Sequence, residues 1–154
     1  MKRIISIFLT AIVFCTCSFN SFAWSKQTNT SIEYFEDGSY IITTIQENAN
    51  HTTFSTSTKT GSKRSDYYNE DSEIMWSTTL TATFSYSGTS ATCTASNITY
   101  TVNASNWRII SAVATKSGNM AIGDVTAKKY FLGVPIETVE RTVTLTCSPT
   151  GVLS

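Results

Sequence analysis

The chain contains a single histidine, His51, in the polar stretch of residues 47–51. Histidine is the usual general base near neutral pH, so this ring is the first candidate for catalysis. A hydrolase that used it would need a nucleophilic hydroxyl and an orienting acid, such as Glu47, within hydrogen-bonding distance. No Gly-x-Ser-x-Gly turn or other nucleophile pattern occurs in the sequence. We therefore interpret His51 as an exposed loop residue and predict no catalytic residue.

Two adjacent tyrosines, Tyr67 and Tyr68, are the second candidate. Aromatic rings provide a large contact area at a low entropic cost, so the pair is suited to stacking on a sugar or a peptide. The alternative is that one ring packs into the core while the other lies on the surface of a sheet. We name both tyrosines as candidate binding residues for an unknown extracellular ligand, either a glycan or a protein.

Carboxylates surround the tyrosine pair, at Asp66, Glu70, Asp71 and Glu73. Such a group can bind Ca²⁺ in an extracellular loop, but the spacing lacks the central Gly and the terminal Glu of an EF-hand. We therefore interpret these residues as a solvated turn and predict neither a metal site nor a cofactor.

Charge and composition exclude several classes of protein. The 11 Lys and Arg residues are balanced by 11 Asp and Glu residues, and only 14% of the chain is charged. A protein that binds nucleic acid or an anionic membrane would have a basic excess, so neither partner is expected. With 41% hydrophobic residues the chain can form a core, which excludes intrinsic disorder. A length of 154 residues corresponds to one ordinary domain.

The N-terminus has the pattern of a secretory signal peptide. A basic start is followed by an uncharged, largely apolar run, and Ser21 and Ala23 are the small residues of a cleavage site before Trp24. We predict a signal peptide over residues 1–23 and a mature domain over residues 24–154. The mature protein is accordingly expected to be secreted and extracellular.

Two alternatives to a cleaved signal peptide remain. The uncharged residues 4–24 are numerous enough for a transmembrane anchor, although six Ser, Thr and Asn residues weaken their apolar character. Lipid attachment at Cys17 is the other alternative, but residues 14–16 do not have the sequence that this modification usually requires. After cleavage, nine basic residues remain against eleven acidic ones, and we expect no membrane association.

Cleavage would also remove Cys15 and Cys17, leaving Cys93 and Cys147. An even pair in an exported protein predicts a disulfide, which would stabilise the fold by about 4 kcal/mol on the chain-entropy model. The alternative is two reduced, buried thiols. Two cysteines without a nearby histidine are not expected to form a metal site.

Hydroxyl residues dominate the predicted strands. After position 23 the sequence contains 25 Thr and 18 Ser, and threonine suits the half-exposed surface of a sheet. From Trp76 to Tyr86, apolar residues alternate with Ser and Thr, which indicates one long strand. Shorter strands are predicted at residues 52–58 and 64–68, and a phase slip near Ser96-Asn97 indicates a bulge or a bend.

Turn residues divide the chain into about eight or nine strands. Asp37-Gly38, Gly88, residues 116–119 and Gly133 are the main turn positions. No 12-residue window shows helical periodicity. The pattern therefore predicts an all-β fold, a single antiparallel β-sandwich with one cross-sheet disulfide, and a barrel is the second choice.

Several segments resemble those of a known group of proteins. They are residues 126–133 (TAKKYFLG), 144–149 (TLTCSP), 59–63 (KTGSK), Tyr67-Tyr68-Asn69 and Trp76-Ser77. Together with the signal peptide, they look like small secreted all-β proteins of unknown function from Gram-positive, Clostridia-like gut bacteria. The resemblance implies export and a compact β fold, and it implies no activity.

A weaker resemblance is to immunoglobulin-like domains. Cys93, Trp107 and Cys147 occur in the Cys–Trp–Cys order that is typical of that fold. Position 145, two residues before the second Cys, is Leu rather than Tyr, and several strands precede Cys93. The resemblance favours a sandwich with a cross-sheet disulfide without implying immunoglobulin ancestry.

The scarcity of titratable groups favours a protein without enzymatic activity. Glycoside hydrolysis needs two carboxylates across a cleft, whereas Glu137 and Glu140 would lie on opposite faces of one strand. We predict a secreted binding or structural module. The alternative is a secreted antagonist, such as an inhibitor or a bacteriocin-like factor, and a small hydrolase using His51 is the third hypothesis.

Export of the full chain should yield a protein that begins at Trp24, because the signal peptidase recognises the small residues before that position. Intact-mass measurement and N-terminal sequencing of the exported protein test this. Recovery of a membrane-bound chain that retains residues 1–23 would support the anchor instead.

Overall fold

The structure is a computed structural model that describes residues 29–48 and 57–154. The predicted signal peptide and His51 lie outside these described residues. Eight strands and no helix occur in the two ranges, so no helix there could cross a membrane. The strands are β1 (Asn29–Tyr34), β2 (Tyr40–Asn48), β3 (Ser57–Tyr68), β4 (Ile74–Tyr86), β5 (Ala91–Val102), β6 (Trp107–Ser117), β7 (Met120–Phe131) and β8 (Val134–Thr146).

The strands form two antiparallel sheets. One sheet has five strands in the order β1-β2-β3-β4-β5, and the other has three strands in the order β6-β7-β8. Every strand pairs with its neighbour in sequence, except where the chain passes from β5 to β6 and changes sheet. The predicted all-β class and antiparallel pairing are confirmed, and the two-sheet arrangement fits the predicted sandwich.

Alternation of side chains explains how one face of β4 contributes to the core between the two sheets. Trp76, Leu80, Ala82 and Phe84 are fully buried on the face toward the other sheet, as the period of two along the strand requires. The pairing of β4 with β5 shifts by one residue between Thr83 and Phe84. The bulge predicted on β5 from the phase slip is therefore present, about two residues before the expected place.

The short strand predicted at residues 64–68 is part of a longer one. Residues 57–68 form the single strand β3, which continues through Gly61, and residues 52–56 of the other predicted strand lie outside the described residues. A Cβ atom at Gly61 would collide with the side chain of Leu153, which is buried. Glycine here leaves space for a tertiary contact and does not interrupt the strand, although local sequence favours a break.

The core lies between the sheets in two buried clusters, each with residues from both sheets. One is aliphatic and sulfur-rich, and the other is largely aromatic. The first contains Ile45, Leu80, Ala82, Phe84, Cys93, Ala121, Val143, Leu145, Cys147 and Leu153. The second contains Ile41, Tyr67, Trp76, Trp107, Val125 and Ala127.

The predicted disulfide between Cys93 and Cys147 is not formed in the structure. Both cysteines are buried, free thiols in the first cluster. The N–H of Cys93 donates to the Gly118 carbonyl (2.7 Å), and the N–H of Cys147 donates to the Asn119 carbonyl (3.0 Å). The turn between β6 and β7 thus bonds to both cysteine backbones. Burial raises the pKa of each thiol, which disfavours the reactive thiolate.

Truncation of Leu80 to Ala should lower the free energy of unfolding by about 2–5 kcal/mol, because it leaves a cavity between the sheets. Truncation of the exposed Val113 to Ala on β6 should change it by less than about 0.5 kcal/mol. Urea denaturation of both variants measures the difference. Similar losses from the two variants would contradict the position of β4 in the core.

Candidate functional site

Three turns meet at one end of the two sheets and enclose an open cleft of about 740 Å³. The turns are residues 35–39 between β1 and β2, residues 69–73 between β3 and β4, and residues 103–106 between β5 and β6. Strands β7 and β8 close the remaining side. The lining side chains include Asp37, Ser39, Tyr67, Asn69, Glu70, Glu73, Asn106, Trp107, Lys129 and Glu137.

A second, smaller hollow of about 370 Å³ adjoins the cleft. Asp37, Ser39, Tyr67 and Glu137 line both cavities. These four residues therefore form the partition between the two cavities, and their geometry decides which polar atoms a ligand would meet.

The turn between β1 and β2 places Asp37 and Ser39 at the cleft. Gly38 has a φ of 82°, which glycine adopts without strain. The Asp37 carboxylate accepts hydrogen bonds from the Ser39 N–H (3.0 Å) and the Ser39 hydroxyl (2.6 Å). These bonds lower the pKa of Asp37, so it stays ionised.

The acidic turn between β3 and β4 is organised by Asn69. Its Oδ1 accepts the Glu73 N–H at 2.8 Å, and its backbone N–H donates to the Glu73 carbonyl at 3.1 Å. Glu70, Asp71 and Glu73 are exposed. Within the described ranges, no three acidic, His or Cys side chains are grouped so that they could hold a metal ion.

An aromatic cluster forms the wall behind the cleft. The Tyr67 ring stacks on Trp76, with centroids 5.3 Å apart and planes 10° from parallel. Trp107, from the other sheet, lies 5.2 Å from Tyr67 at 60° and 6.5 Å from Trp76 at 53°. Both geometries are among those that aromatic pairs prefer. Tyr67 and Trp107 are each only 3% exposed, so they border the cleft with their edges.

The Tyr67 hydroxyl connects the two sheets through polar contacts. It lies 3.1 Å from the Ser39 Oγ and 3.2 Å from the Glu137 Oε1, and it can donate its proton to either oxygen. Burial of the ring, with the negative charge of Glu137 nearby, raises the pKa of Tyr67 to about 12. Tyr67 is therefore a neutral hydrogen-bond donor at any physiological pH.

Tyr68, the other predicted binding residue, lies on the opposite face of β3. Its ring stacks on Tyr40 with centroids 4.8 Å apart, and Tyr40 in turn contacts Tyr34 at 5.5 Å. Adjacent residues on a strand point to opposite faces, which separates the pair. The structure places Tyr67 at the cleft and Tyr68 in a tyrosine ladder on the outer surface of the sheet.

Further polar groups complete the cleft. Lys129 on β7 pairs with Glu137 on β8 across the sheet, at 3.6 Å. The buried Nε1 atoms of Trp76 and Trp107 have no hydrogen-bond partner among the described residues. Of the two, only Trp107 lines the cleft, and its N–H is a donor without an acceptor within the described part of the chain.

Sequence reasoning identified Tyr67 but missed Asp37, Ser39, Trp107, Lys129 and Glu137. The Asp-Gly turn did indicate where Asp37 lies along the chain. No local pattern brings that turn next to Glu137, a hundred residues later, because the contact exists only when the two sheets pack.

Replacement of Tyr67 by Phe should lower the free energy of unfolding by about 1–3 kcal/mol near pH 7, since two buried contacts lose their donor.

An unfolded tyrosine ionises near pH 10, whereas folded Tyr67 ionises at about 12. The wild type should therefore lose stability as the pH rises from about 10 to about 12, and Tyr67→Phe should lose less. Denaturation across this pH range measures the difference, with exposed Tyr100→Phe as the control. Parallel curves for the two variants would contradict the buried, bonded hydroxyl.

Comparison with known proteins identifies no relative, so a functional inference has to be based on the cleft. No protein-family model matches this chain, and no curated protein or solved structure matches it significantly. The two resemblances described from the sequence therefore remain predictions.

Proposed function

We propose that the protein is a secreted, non-enzymatic β-sandwich module that binds an uncharged glycan in the cleft between its two sheets. The observation that carries this proposal is the preformed cleft itself, with an aromatic wall and several convergent polar groups. Ligand sites in proteins are typically concave, largely preformed and equipped with a few well-placed hydrogen-bonding groups. The cleft volume of about 740 Å³ is in the usual range for such sites.

The charge of the cleft favours a neutral ligand. Its lining includes four acidic side chains, at Asp37, Glu70, Glu73 and Glu137, and one basic side chain, Lys129. Lys129 is already paired with Glu137. A nucleic acid, a phosphate or an acidic sugar would meet net negative charge, so these ligands are disfavoured.

Hydroxyl-rich ligands complement the groups that are present. Carboxylates accept hydrogen bonds only, and sugar hydroxyls can donate them. The Trp107 N–H can donate in return to a sugar oxygen. The Trp107 ring and the Asp37 carboxylate are both held in place by neighbouring side chains. Trp107 packs against Tyr67 and Trp76, and the Asp37 carboxylate accepts hydrogen bonds from Ser39. Such preorganisation reduces the entropy lost on binding.

The hydrogen bonds and the ion pair of the cleft carboxylates support ligand binding rather than catalysis. A glycosidase needs one carboxyl with a raised pKa to protonate the leaving group. The pKa of Asp37 is instead lowered by Ser39. Glu137 is engaged by Tyr67 and Lys129, and Glu73 by Asn69. A hydrolase using His51 would involve a residue outside the described ranges.

Secretion is part of the same proposal and is supported by the sequence of residues 1–23. An extracellular compartment would also permit a disulfide between Cys93 and Cys147, which the structure holds as free thiols. A protein ligand, or a role as a secreted antagonist, would use the same cleft with a different partner.

Binding to a glycan array should select neutral oligosaccharides, and calorimetry should give the affinity for the best of them. Replacement of Trp107 by Phe keeps the ring but removes the N–H, so it should weaken binding by about threefold to tenfold. Glu137→Gln should weaken it as well, because an amide donates where a sugar hydroxyl needs an acceptor. The matched control is Asp124→Asn, an exposed carboxylate on the outer face of β7.

Three outcomes would contradict this proposal. They are a preference for acidic glycans, equal affinities for all three variants and the wild type, and failure to bind any glycan on the array. Far-ultraviolet circular dichroism establishes that each variant remains folded, so that a loss of affinity can be attributed to the cleft.

A further inference from the structure

The hairpin between β7 and β8 ends in a run of exposed apolar residues. Residues 131–136, here called the apolar tip, have the sequence Phe-Leu-Gly-Val-Pro-Ile and contain no charged or hydrogen-bonding side chain. All six residues are exposed. The exposed fractions of the four large side chains are 64% for Phe131, 89% for Leu132, 60% for Val134 and 59% for Ile136.

The apolar tip extends beyond the two sheets. Tyr130 is still tied to the domain, because its N–H donates to the Asn106 carbonyl at 2.7 Å. Past this contact, side chains on both faces of the hairpin are exposed, and Phe131 pairs with Val134 around a two-residue turn. The apolar tip is therefore a convex projection and not part of a flat surface.

The turn itself has an unexpected residue. Leu132 has a φ of 49° and Gly133 a φ of 83°, the combination found in type I′ turns. Such turns favour Asn, Asp or Gly at the first position, because a larger side chain is strained there. The hairpin between β1 and β2 uses Asp37-Gly38 in its turn. A strained, almost fully exposed Leu is unfavourable for folding, and strain of this kind is typically retained at functional positions.

Cations lie behind the apolar tip on the outer face of the three-stranded sheet. Arg108 and Lys128 are direct partners across β6 and β7, a pairing of like charges that is unfavourable by itself. Tyr130 lies between these cations and the turn, and the Arg108 guanidinium is 5.0 Å from the centre of its ring. From the turn inward, the order is aliphatic side chains, a tyrosine and then two cations.

This order matches the layers of a lipid bilayer surface. Aliphatic side chains favour the acyl region, tyrosine the headgroup boundary, and Arg and Lys the phosphates of anionic lipids. Lys128 and Leu132 are four positions apart, which corresponds to roughly 13 Å along an extended strand. That length exceeds the roughly 5–10 Å to which interfacial segments bury their apolar side chains, so Leu132 can reach the acyl chains while Lys128 stays at the phosphates.

We propose that the apolar tip inserts into the outer layer of a membrane that contains anionic phospholipid, with Arg108 and Lys128 at the level of the phosphates. A lipid occupant suits the convex shape, because it can surround both faces of a hairpin, whereas a protein partner needs roughly 800 Å² on one continuous surface. The balanced charge of the whole chain does not exclude this local pair of cations. The exposed acids of the turns at residues 35–39 and 69–73 belong to the other sheet, and those on the outer face of the three-stranded sheet, Asp124 and Glu140, lie farther from the hairpin turn than Lys128. The inference is independent of glycan binding in the cleft.

Co-sedimentation with vesicles tests the proposal on the exported protein, after its N-terminus has been determined. Vesicles of phosphatidylcholine alone are compared with vesicles that also contain phosphatidylglycerol, and the wild type should bind the second kind more strongly. Leu132→Asn should reduce this binding about tenfold or more. It should not lower the melting temperature, because Asn is a preferred residue in this turn.

Two further variants separate the contributions. Val152→Asn changes another exposed apolar side chain, 61% exposed, in the C-terminal segment, and should leave vesicle binding unchanged. The double variant Arg108→Gln, Lys128→Gln should remove the preference for the anionic vesicles. Absence of wild-type binding to either vesicle, or equal binding by Leu132→Asn, would overturn the proposal. A third result would also overturn it: light scattering shows that the wild type is an oligomer, and Leu132→Asn makes it monomeric without changing vesicle binding. The apolar tip would then join two copies of the chain.

Discussion

The packing of Tyr67, Trp76 and Trp107 is the interaction on which the functional end of the molecule depends. Two of these rings come from the five-stranded sheet and the third comes from the three-stranded sheet, so their contact fixes how the sheets meet at that end. The same contact places the Tyr67 hydroxyl beside Ser39 and Glu137. Tyr67 thus contributes its ring to the core and its hydroxyl to the polar groups between the two cavities. A change at Tyr67 therefore affects both the stability of the fold and the geometry of the cleft.

The cleft and the apolar tip lie at the same end of the molecule but differ in physical character. The cleft is rigid, polar and net acidic, and its carboxylates are held by Ser39, Asn69 and Tyr67. The apolar tip is a projecting hairpin whose four large apolar side chains are each at least 59% exposed. A membrane-docked apolar tip would bring the cleft close to the cell surface, where glycans are abundant. The two proposals are compatible, and each is tested by a different ligand.

Local sequence predicted the strands well wherever one face is buried. The alternation from Trp76 to Tyr86 became β4, and the phase slip on β5 became a register shift opposite Thr83 and Phe84. The predicted gap between residues 58 and 64 was wrong, because Gly61 in isolation indicates a break and only the packed Leu153 shows why the strand continues. The cysteine pair illustrates the same limit. An even pair of cysteines and the expected export favour a disulfide, whereas Cys93 and Cys147 are buried free thiols in the structure.

The sequence by itself determined the all-β class, the antiparallel neighbours and the separation of Tyr67 from Tyr68 onto opposite faces, because the period of two is a property of the extended backbone. It also contained the apolar residues 131–136 and the Asp-Gly turn, although not their roles. Only the tertiary structure decided that Asp37, Trp107 and Glu137 would share one cleft. These residues are far apart in the chain, and their proximity depends on how two twisted sheets pack, which no short-range pattern encodes.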